Sequence, residues 1–551
     1  MAGSQVTIAQ IEAAEALLGL ALTAAERRQM VGNIDDQIGM AQSLRAVSLP
    51  NSAAPASRFD PRPPGFKMPT ARGVTGSVIG RSLPDSDEDI AFASVPELGH
   101  WIRTGQLTSR RLTEIYLTRI AALDPVLKCW ATVTPDLALA EADGMDALTA
   151  AGRSLGPLHG LPYGLKDLFD TKGIATGWGA EPFRDRLPDA DAAIVQKLRG
   201  AGAVLLGKTT LGALAYGDIW YGGTTRNPWN TEEGSSGSSA GSASATAAGL
   251  CAFSIGTETL GSITSPSQRC GTTGLRPTFG RVSRAGAMAL CWSLDKVGPI
   301  ARGVEDCALV LEGLNGGDAN DRGSIDAEFQ FDISASIEGM KVGYLPEAFE
   351  EGATDVDRAA LAAVRDLGVE VVPVALPDLP WDALMLILFA ESAAAFADLT
   401  ETGLDDTLTW QDDAAWPNTF RKARFISAVD VVQADRVRLM AMQALEGVFA
   451  RVHAMVGPFE TGPMLVASNF TGHPCLHLRA GFNRFPTRDR RTLTDGPVLT
   501  SAAPGAPLFE VPQGISLWGR LFDEGRLLSL GIALERALGV AGRRPGTATN
   551  L

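Results

Sequence analysis

Short apolar runs recur along this chain, each flanked by a segment of helical period, and no other feature restricts its fold as much. The runs at 201–208 (AGAVLLGK), 251–257 (CAFSIGT), 340–346 (MKVGYLP) and 369–376 (VEVVPVAL) have the length and apolarity of buried strands. Helical patterns alternate with them. One begins near Thr108, puts Leu112, Ile115, Tyr116, Leu117 and Ile120 on one stripe and is expected to stop before Pro125. Others span 357–367 and 431–452. Strands without polar alternation must be covered on both faces, so the pattern predicts an α/β chain with a large, mostly parallel or mixed sheet between helical layers.

Two segments precede this pattern. Residues 5–46 carry helical periodicity, with Ile11, Leu17, Leu18 and Leu22 on one side, which predicts a helical N-terminal extension over 1–48. Between positions 50 and 69 there are six prolines and almost no apolar periodicity, so 49–79 reads as a Pro-rich linker, extended rather than packed, ahead of a main domain at 80–551.

Composition excludes several classes of function. Hydrophobic residues make up 45% of the 551 and charged residues 20%, a globular balance with a sizeable core. A formal net charge of −15 argues against nucleic acid and anionic membranes as partners. No apolar stretch reaches the roughly 18–20 residues that span a bilayer, and the N-terminus lacks a signal-peptide pattern. Cys129, Cys251, Cys270, Cys291, Cys307 and Cys475 form no CxxC pairs, so reduced thiols and a cytoplasmic location are expected.

The segment 233–284 concentrates the chemistry. Its Gly/Ser-rich start reads by composition as a flexible linker. Yet an Ala-rich helix candidate and then the 251–257 strand follow it at once, so the loop lies inside the element pattern, where it exposes backbone N–H groups at a helix start. Upstream, Lys166 is the one amine in the largely apolar HGLPYGLKD. Lysine and serines together point to a hydrolase that works without histidine.

These motifs resemble the amidase signature family of serine hydrolases. Ser236-Gly237-Ser238-Ser239-Ala240-Gly241-Ser242 is similar to the family's Gly-Gly-Ser-Ser-Gly-Gly-Ser, and Gly256-Thr257-Glu258-Thr259-Leu260-Gly261-Ser262 to its Gly-Thr-Asp-Thr-Gly-Gly-Ser. Further matches include TRNPWN (225–230), CGTTGLRPTFGRVSR (270–284) and SLDKVGPIAR (293–302), so the likeness covers about 80–540. It implies the amidase signature fold and a Ser-cisSer-Lys triad, with Ser262 as nucleophile, Ser238 as bridging serine and Lys166 as base. The backbone N–H groups of Thr259, Leu260, Gly261 and Ser262 would form the oxyanion hole. Of the two Gly-Ser-Ser triplets at 234–236 and 237–239, only the second places the family's nucleophile, 24 residues after its first serine, on Ser262.

The implied activity is hydrolysis of carboxylic amides, extending to esters, anilides or carbamates, through an acyl-enzyme and with neither metal nor organic cofactor. The alternative is a glutaminase-type subunit of an amidotransferase complex, supplying ammonia to a partner. Expected partners are small-molecule substrates, with homo-oligomerisation left open. Lys166 must be neutral to act as base, which burial among Leu161, Leu165 and Leu168 would favour. The neighbouring Asp167 would oppose this unless it pointed to the other side of the strand. Leu260, Glu258 and Thr264 replace a glycine, an aspartate and an arginine of the family pattern, and the resemblance therefore predicts altered selectivity.

Three other signals read as structural. Gly202 to Thr209 fits G-x-x-x-x-G-K-T, but its Ala-Val-Leu-Leu centre is itself a strand and would bury the amides a phosphate needs, leaving Lys208 structural. His473 and His477 flank Pro474, which breaks the i, i+4 geometry of a metal pair. The acidic run at 85–89 lacks the glycine and terminal glutamate of a calcium loop.

Overall fold

A computed structural model describes residues 6–31, 34–47, 49–350, 352–459, 461–488 and 505–546. Eleven strands make its main sheet: β1 (Trp130–Val133), β2 (Pro162–Lys166), β3 (Val204–Thr209), β4 (Phe253–Glu258), β5 (Thr273–Arg276), β6 (Lys296–Ala301), β7 (Lys341–Tyr344), β8 (Glu370–Pro373), β9 (Ala454–Pro458), β10 (Cys475–Phe485) and β11 (Phe509–Gly519). They pair in the order β8-β7-β9-β11-β10-β5-β6-β4-β2-β3-β1. β2 runs parallel to both β3 and β4 on one flank, and β7 parallel to β8 and β9 on the other, with antiparallel pairing between the two groups. The sheet is therefore mixed. Every residue of β3 and β4 is buried, as the runs at 201–208 and 251–257 predict, and so is every residue of β2 and β6. Contrary to the expectation for 340–346 and 369–376, β7 is exposed at Lys341 and β8 is nowhere fully buried, because β8 is an edge strand, covered on one side only.

The four expected strands all form; those at 340–346 and 369–376 are shortened to Lys341–Tyr344 and Glu370–Pro373, while those at 201–208 and 251–257 start later and end one residue later, at Thr209 and Glu258. The helices expected at 357–367 and 431–452 span Asp355–Asp366 and Ala428–Phe449. The helix beginning after Thr108 differs from expectation, since it spans Ser109–Leu127 with Pro125 inside. Only two residues follow that proline, so one backbone bond is forgone while Leu127 is still drawn into the core. Among the described residues no helix is long and apolar enough to cross a membrane.

Three helices, Ile8–Leu18, Ala24–Val31 and Ile34–Arg45, precede the body. Their apolar side is not a closed core: Ile11 is buried, whereas Leu17 is exposed, and a bidentate Arg27–Glu15 pair joins the first two helices. Positions 49–72 contain no helix or strand, as their prolines predict. They are nevertheless not a solvated spacer. Phe59 packs edge-on against Phe279 at 5.0 Å and under the Arg438 guanidinium at 3.4 Å, and Asn51 bonds the backbone of Ala289. Proline here stiffens a strap laid on the body.

The C-terminal helix Glu524–Leu538 is tied to the loop after β5 by a fully buried Arg281–Glu524 pair at 2.7 Å, whose carboxylate also accepts the Thr278 N–H at 2.8 Å. Removing one partner leaves a buried charge uncompensated, which costs about 3–5 kcal/mol. Glu524→Ala should therefore lower the urea midpoint by a matching amount; an unchanged midpoint would show that the pair does not anchor this helix.

Candidate active site

β2 lies between two parallel neighbours, and its last residue is Lys166. Strand ends of this kind open onto a crevice, and side chains projecting there come from adjacent strands. Lys166 is completely buried. Its Nζ lies 2.8 Å from Ser238 Oγ, 3.0 Å from Ser239 Oγ, 2.8 Å from Thr257 Oγ1 and 3.4 Å from the Thr257 carbonyl. Among the described residues no carboxylate forms an ion pair with it. Burial therefore pushes the amine well below the usual lysine range, opposed only by the more distant fields of Asp295 and Glu258.

Asp167 faces the other way. It pairs at 3.2 Å with Lys208 of β3 and accepts the Gly177 N–H at 2.9 Å. Lys208 also donates to the Phe169 carbonyl and to Thr176 Oγ1, both at 2.8 Å. The lysine of the phosphate-loop-like motif is thus structural: it holds the one carboxylate that sequence places beside Lys166.

The peptide Gly237–Ser238 is cis. A Cβ on Gly237 would sit 1.8 Å from the Gly217 carbonyl, so only glycine lets the loop pass at this point. The helix Ala240–Ala247 starts directly after Ser239, and all eight of its residues are buried against the sheet. The Gly/Ser segment is short-chained because it is wedged in the core. The hydroxyl of Ser239 donates to the Thr257 carbonyl at 3.0 Å, so towards Lys166 it acts as acceptor. Ser238 Oγ has no other partner among the described residues, which leaves its proton free to move to the amine.

Ser262 follows β4 in a turn where Gly261 takes φ +87, a left-handed value that suits glycine. The Ser239 N–H donates to the Ser262 carbonyl at 3.1 Å and ties the two serine segments together. Among the described residues Ser262 Oγ and the N–H groups of Thr259, Leu260, Gly261 and Ser262 make no hydrogen bond. Ser238 and all four of these residues line one cavity of about 970 Å³. The four N–H groups expected from sequence are thus unengaged among the described residues, on residues that line the cavity.

Two carboxylates shape the turn. Glu258 Oε2 accepts the N–H groups of Ile263 and Thr264 at 2.9 and 3.0 Å and the Thr264 hydroxyl at 3.1 Å, while Oε1 meets Arg276 at 2.6 Å and Asn469 at 3.1 Å. Glu258 is fully buried, but its partners outweigh the burial and hold it down at about 2. Asp295 Oδ1 accepts the Thr259 hydroxyl at 2.6 Å, and Oδ2 the N–H groups of Leu290 and Cys291.

Sequence reasoning named Lys166, Ser238 and Ser262 but missed Thr257, Asp295 and Arg276. Thr257 and Thr259 share one face of the strand pattern two residues apart, a signal that was open to use. Arg276 ends β5 and Asp295 lies in the loop before β6, and only folding brings them here. His473 and His477 are buried, held at about 3 by that burial, and bonded to Thr471 and Ser516. Among the described residues no group of three His, Cys, Asp or Glu could hold a metal. All six cysteines are buried free thiols, and of the 85–89 acids Asp87 pairs with Arg111 and Glu88 and Asp89 pair with Arg544.

The family model described as Amidase matches residues 111–528. A glutamyl-tRNA(Gln) amidotransferase subunit of Geobacter metallireducens is 34% identical over 475 residues, covering 81% of this chain and 97% of the relative. Among solved structures, the native peptide amidase from Stenotrophomonas maltophilia aligns with a TM-score of 0.69 at 29% identity, covering 82% of this chain and 98% of that one. A protein from a vestigial complex, described as revealing the evolutionary origins of an s-triazine catabolic enzyme, aligns with a TM-score of 0.71 at 29% identity, covering 81% and 98%.

The Glu258 network has a pH signature. Its folded value of about 2 lies below the ordinary 4.5, so its contribution is complete above about pH 4.5 and is lost as pH falls towards 2. Glu258→Gln should cost about 3 kcal/mol at pH 7. The gap between variant and wild type, followed by urea unfolding, should narrow below pH 4.5; a gap that stays constant with pH would refute the assignment.

Proposed function

The chain belongs to the amidase family, and from that premise we propose that it is a serine amidase in which Ser262 is the nucleophile, Ser238 the proton relay and Lys166 the base. The observation that carries this reading is the 2.8 Å approach of a buried lysine amine to Ser238, in a cavity that Ser262 shares. A serine hydroxyl is a weak nucleophile until a neighbouring base takes its proton. Lys166, whose charged form burial disfavours, accepts the Ser238 proton while Ser238 accepts that of Ser262, and Ser262 Oγ attacks the carbonyl carbon. The oxyanion then meets the N–H groups of the 259–262 turn, which are unengaged among the described residues. The proton returns through Ser238 to the leaving nitrogen, the C–N bond breaks, and water releases the acyl group from Ser262 by the reverse relay.

Cavity chemistry supports an uncharged, apolar acyl group. Its deeper charged side chains are engaged with protein groups, Arg488 with Glu233 at 2.6 Å, Arg269 with Glu233 at 3.4 Å and Asp218 with the Ser236 N–H at 3.0 Å, whereas the lining Asp382 is exposed to solvent. Leu260, Leu290, Met385, Phe389, Trp416 and Leu465 supply apolar lining. We therefore place hydrophobic amides, with anilides, esters and carbamates of similar shape, ahead of zwitterionic substrates. Six free thiols fit a reducing, cytoplasmic compartment.

A second reading, a glutaminase-type subunit that passes ammonia to a partner, is favoured by the amidotransferase relatives. The two separate in one experiment. The purified chain alone should hydrolyse a chromogenic anilide and leave glutamine intact; activity on glutamine only, and only with added partner subunits, would establish the second reading.

Ser262→Ala and Lys166→Ala should each lower kcat by at least about 10³-fold while circular dichroism stays native. Near-normal kcat in Lys166→Ala at neutral pH would remove the base assignment. Because the base is the neutral amine, kcat/KM should fall on the acid side as pH drops below its lowered value; a profile flat through that limb would contradict the relay. Leu260→Gly should shift relative kcat/KM between bulky and small acyl groups, and unchanged ratios would clear Leu260 of a role in selectivity.

A further inference from the structure

We infer that residues 49–66 are a positioning strap of the active site, holding the 289–295 loop that in turn holds Thr259 at the head of the Ser262 turn. The inference rests on the reading of that turn as the oxyanion site. Two anchors bind the strap to the same loop from different ends. At one, the Asn51 side chain donates to the Ala289 carbonyl and accepts the Ala289 N–H, both at 2.8 Å, pairing with it as a strand would. At the other, Phe59 lies 3.4 Å from the Arg438 guanidinium, and Arg438 donates to the Ser293 carbonyl at 2.6 Å and to Ser293 Oγ at 2.9 Å.

The loop so held presents its own groups to the catalytic turn. The N–H groups of Leu290 and Cys291, directly after the Asn51 anchor, bind Asp295 Oδ2 at 2.8 and 3.0 Å. Asp295 Oδ1 then accepts the Thr259 hydroxyl at 2.6 Å. Leu290 and Thr259 both line the cavity that Ser262 shares, and both also line a second cavity of about 1030 Å³ bordered by Asn51 and Phe59. A continuous series of bonded groups therefore runs from the strap to the first N–H of the turn. Oxyanion donors act only if they are fixed before reaction, and displacements of well under 1 Å weaken them. Arg58 and Arg322, each donating to the other segment's backbone at 3.0 and 3.1 Å, fix the middle of the strap.

The test uses the full-length chain, with active sites counted by fluorophosphonate labelling of Ser262 so that turnover refers to folded, reactive enzyme. Asn51→Ala and Phe59→Leu should each lower kcat per labelled site about ten-fold with KM changed less than about two-fold, as expected when only transition-state contacts are loosened. Asn51→Asp, which keeps the acceptor for Ala289 N–H, and Phe59→Tyr, which keeps the ring under Arg438, should recover part of the loss. Thr259→Val breaks the last bond of the series, so adding Asn51→Ala to it should cost no more than Thr259→Val alone. Wild-type kcat per site in both single variants, or additive losses in the double variant, would overturn the inference. Ser262→Ala separates this from the underlying reading: if it is inactive while the strap variants are normal, only the strap role falls, and if it turns over normally, both fall.

Discussion

The site depends on a fully buried lysine amine to which, among the described residues, no carboxylate is ion-paired. Lys166 ends a strand enclosed on both sides, so its Nζ is surrounded by hydroxyl and carbonyl oxygens, which support a neutral amine as well as a charged one. The arrangement would fail if Asp167 shared the same space. Strand alternation turns Asp167 to the opposite face, and Lys208 holds it there. Two buried lysines with opposite roles thus come from adjacent parallel strands: one is paired so that the other can remain unpaired.

A second constraint is the fixing of backbone donors before any ligand arrives. Glu258 binds the start of the helix that follows Ser262 and is itself held by Arg276 and Asn469, so the turn is bound from below by a buried, fully ionised group. Asp295 binds the turn from the side through Thr259. Glu258 takes the N–H groups that follow the turn and Asp295 a side-chain hydroxyl within it, and among the described residues the N–H groups of 259–262 are unengaged. The glutamate in place of the family's aspartate reaches two backbone groups and an arginine at once. Thr264, in place of an arginine, adds its hydroxyl to the same carboxylate. Both departures are thereby absorbed into the scaffold, whereas Leu260 projects its extra bulk into the cavity lining.

The N-terminal portion divides into two physical regimes. Helices between positions 8 and 45 bury little apolar surface, while the proline-rich stretch after them packs through Phe59 and Asn51 onto the loop beside the 259–262 turn. Proline limits the conformations an unfolded strap can explore, so laying it on the body costs less entropy than ordering a flexible linker of the same length. A segment with no helix or strand can in this way be better anchored than the helices that precede it.

Local pattern was enough to determine the apolar strands, their flanking helices and the wedged Gly/Ser loop and, through motif likeness, to single out Lys166, Ser238 and Ser262, the first two of which meet at 2.8 Å while Ser262 lines the same cavity as Ser238. Those features are legible because burial on both faces and close backbone approach each impose a residue type at a fixed spacing. Tertiary structure alone decided which groups meet: Thr257 on the lysine, Asp295 on Thr259, Arg276 on Glu258, Lys208 on Asp167, and the strap on the 289–295 loop. Such contacts join residues tens to hundreds of positions apart, and their partners are chosen by strand order and register, which no local window encodes.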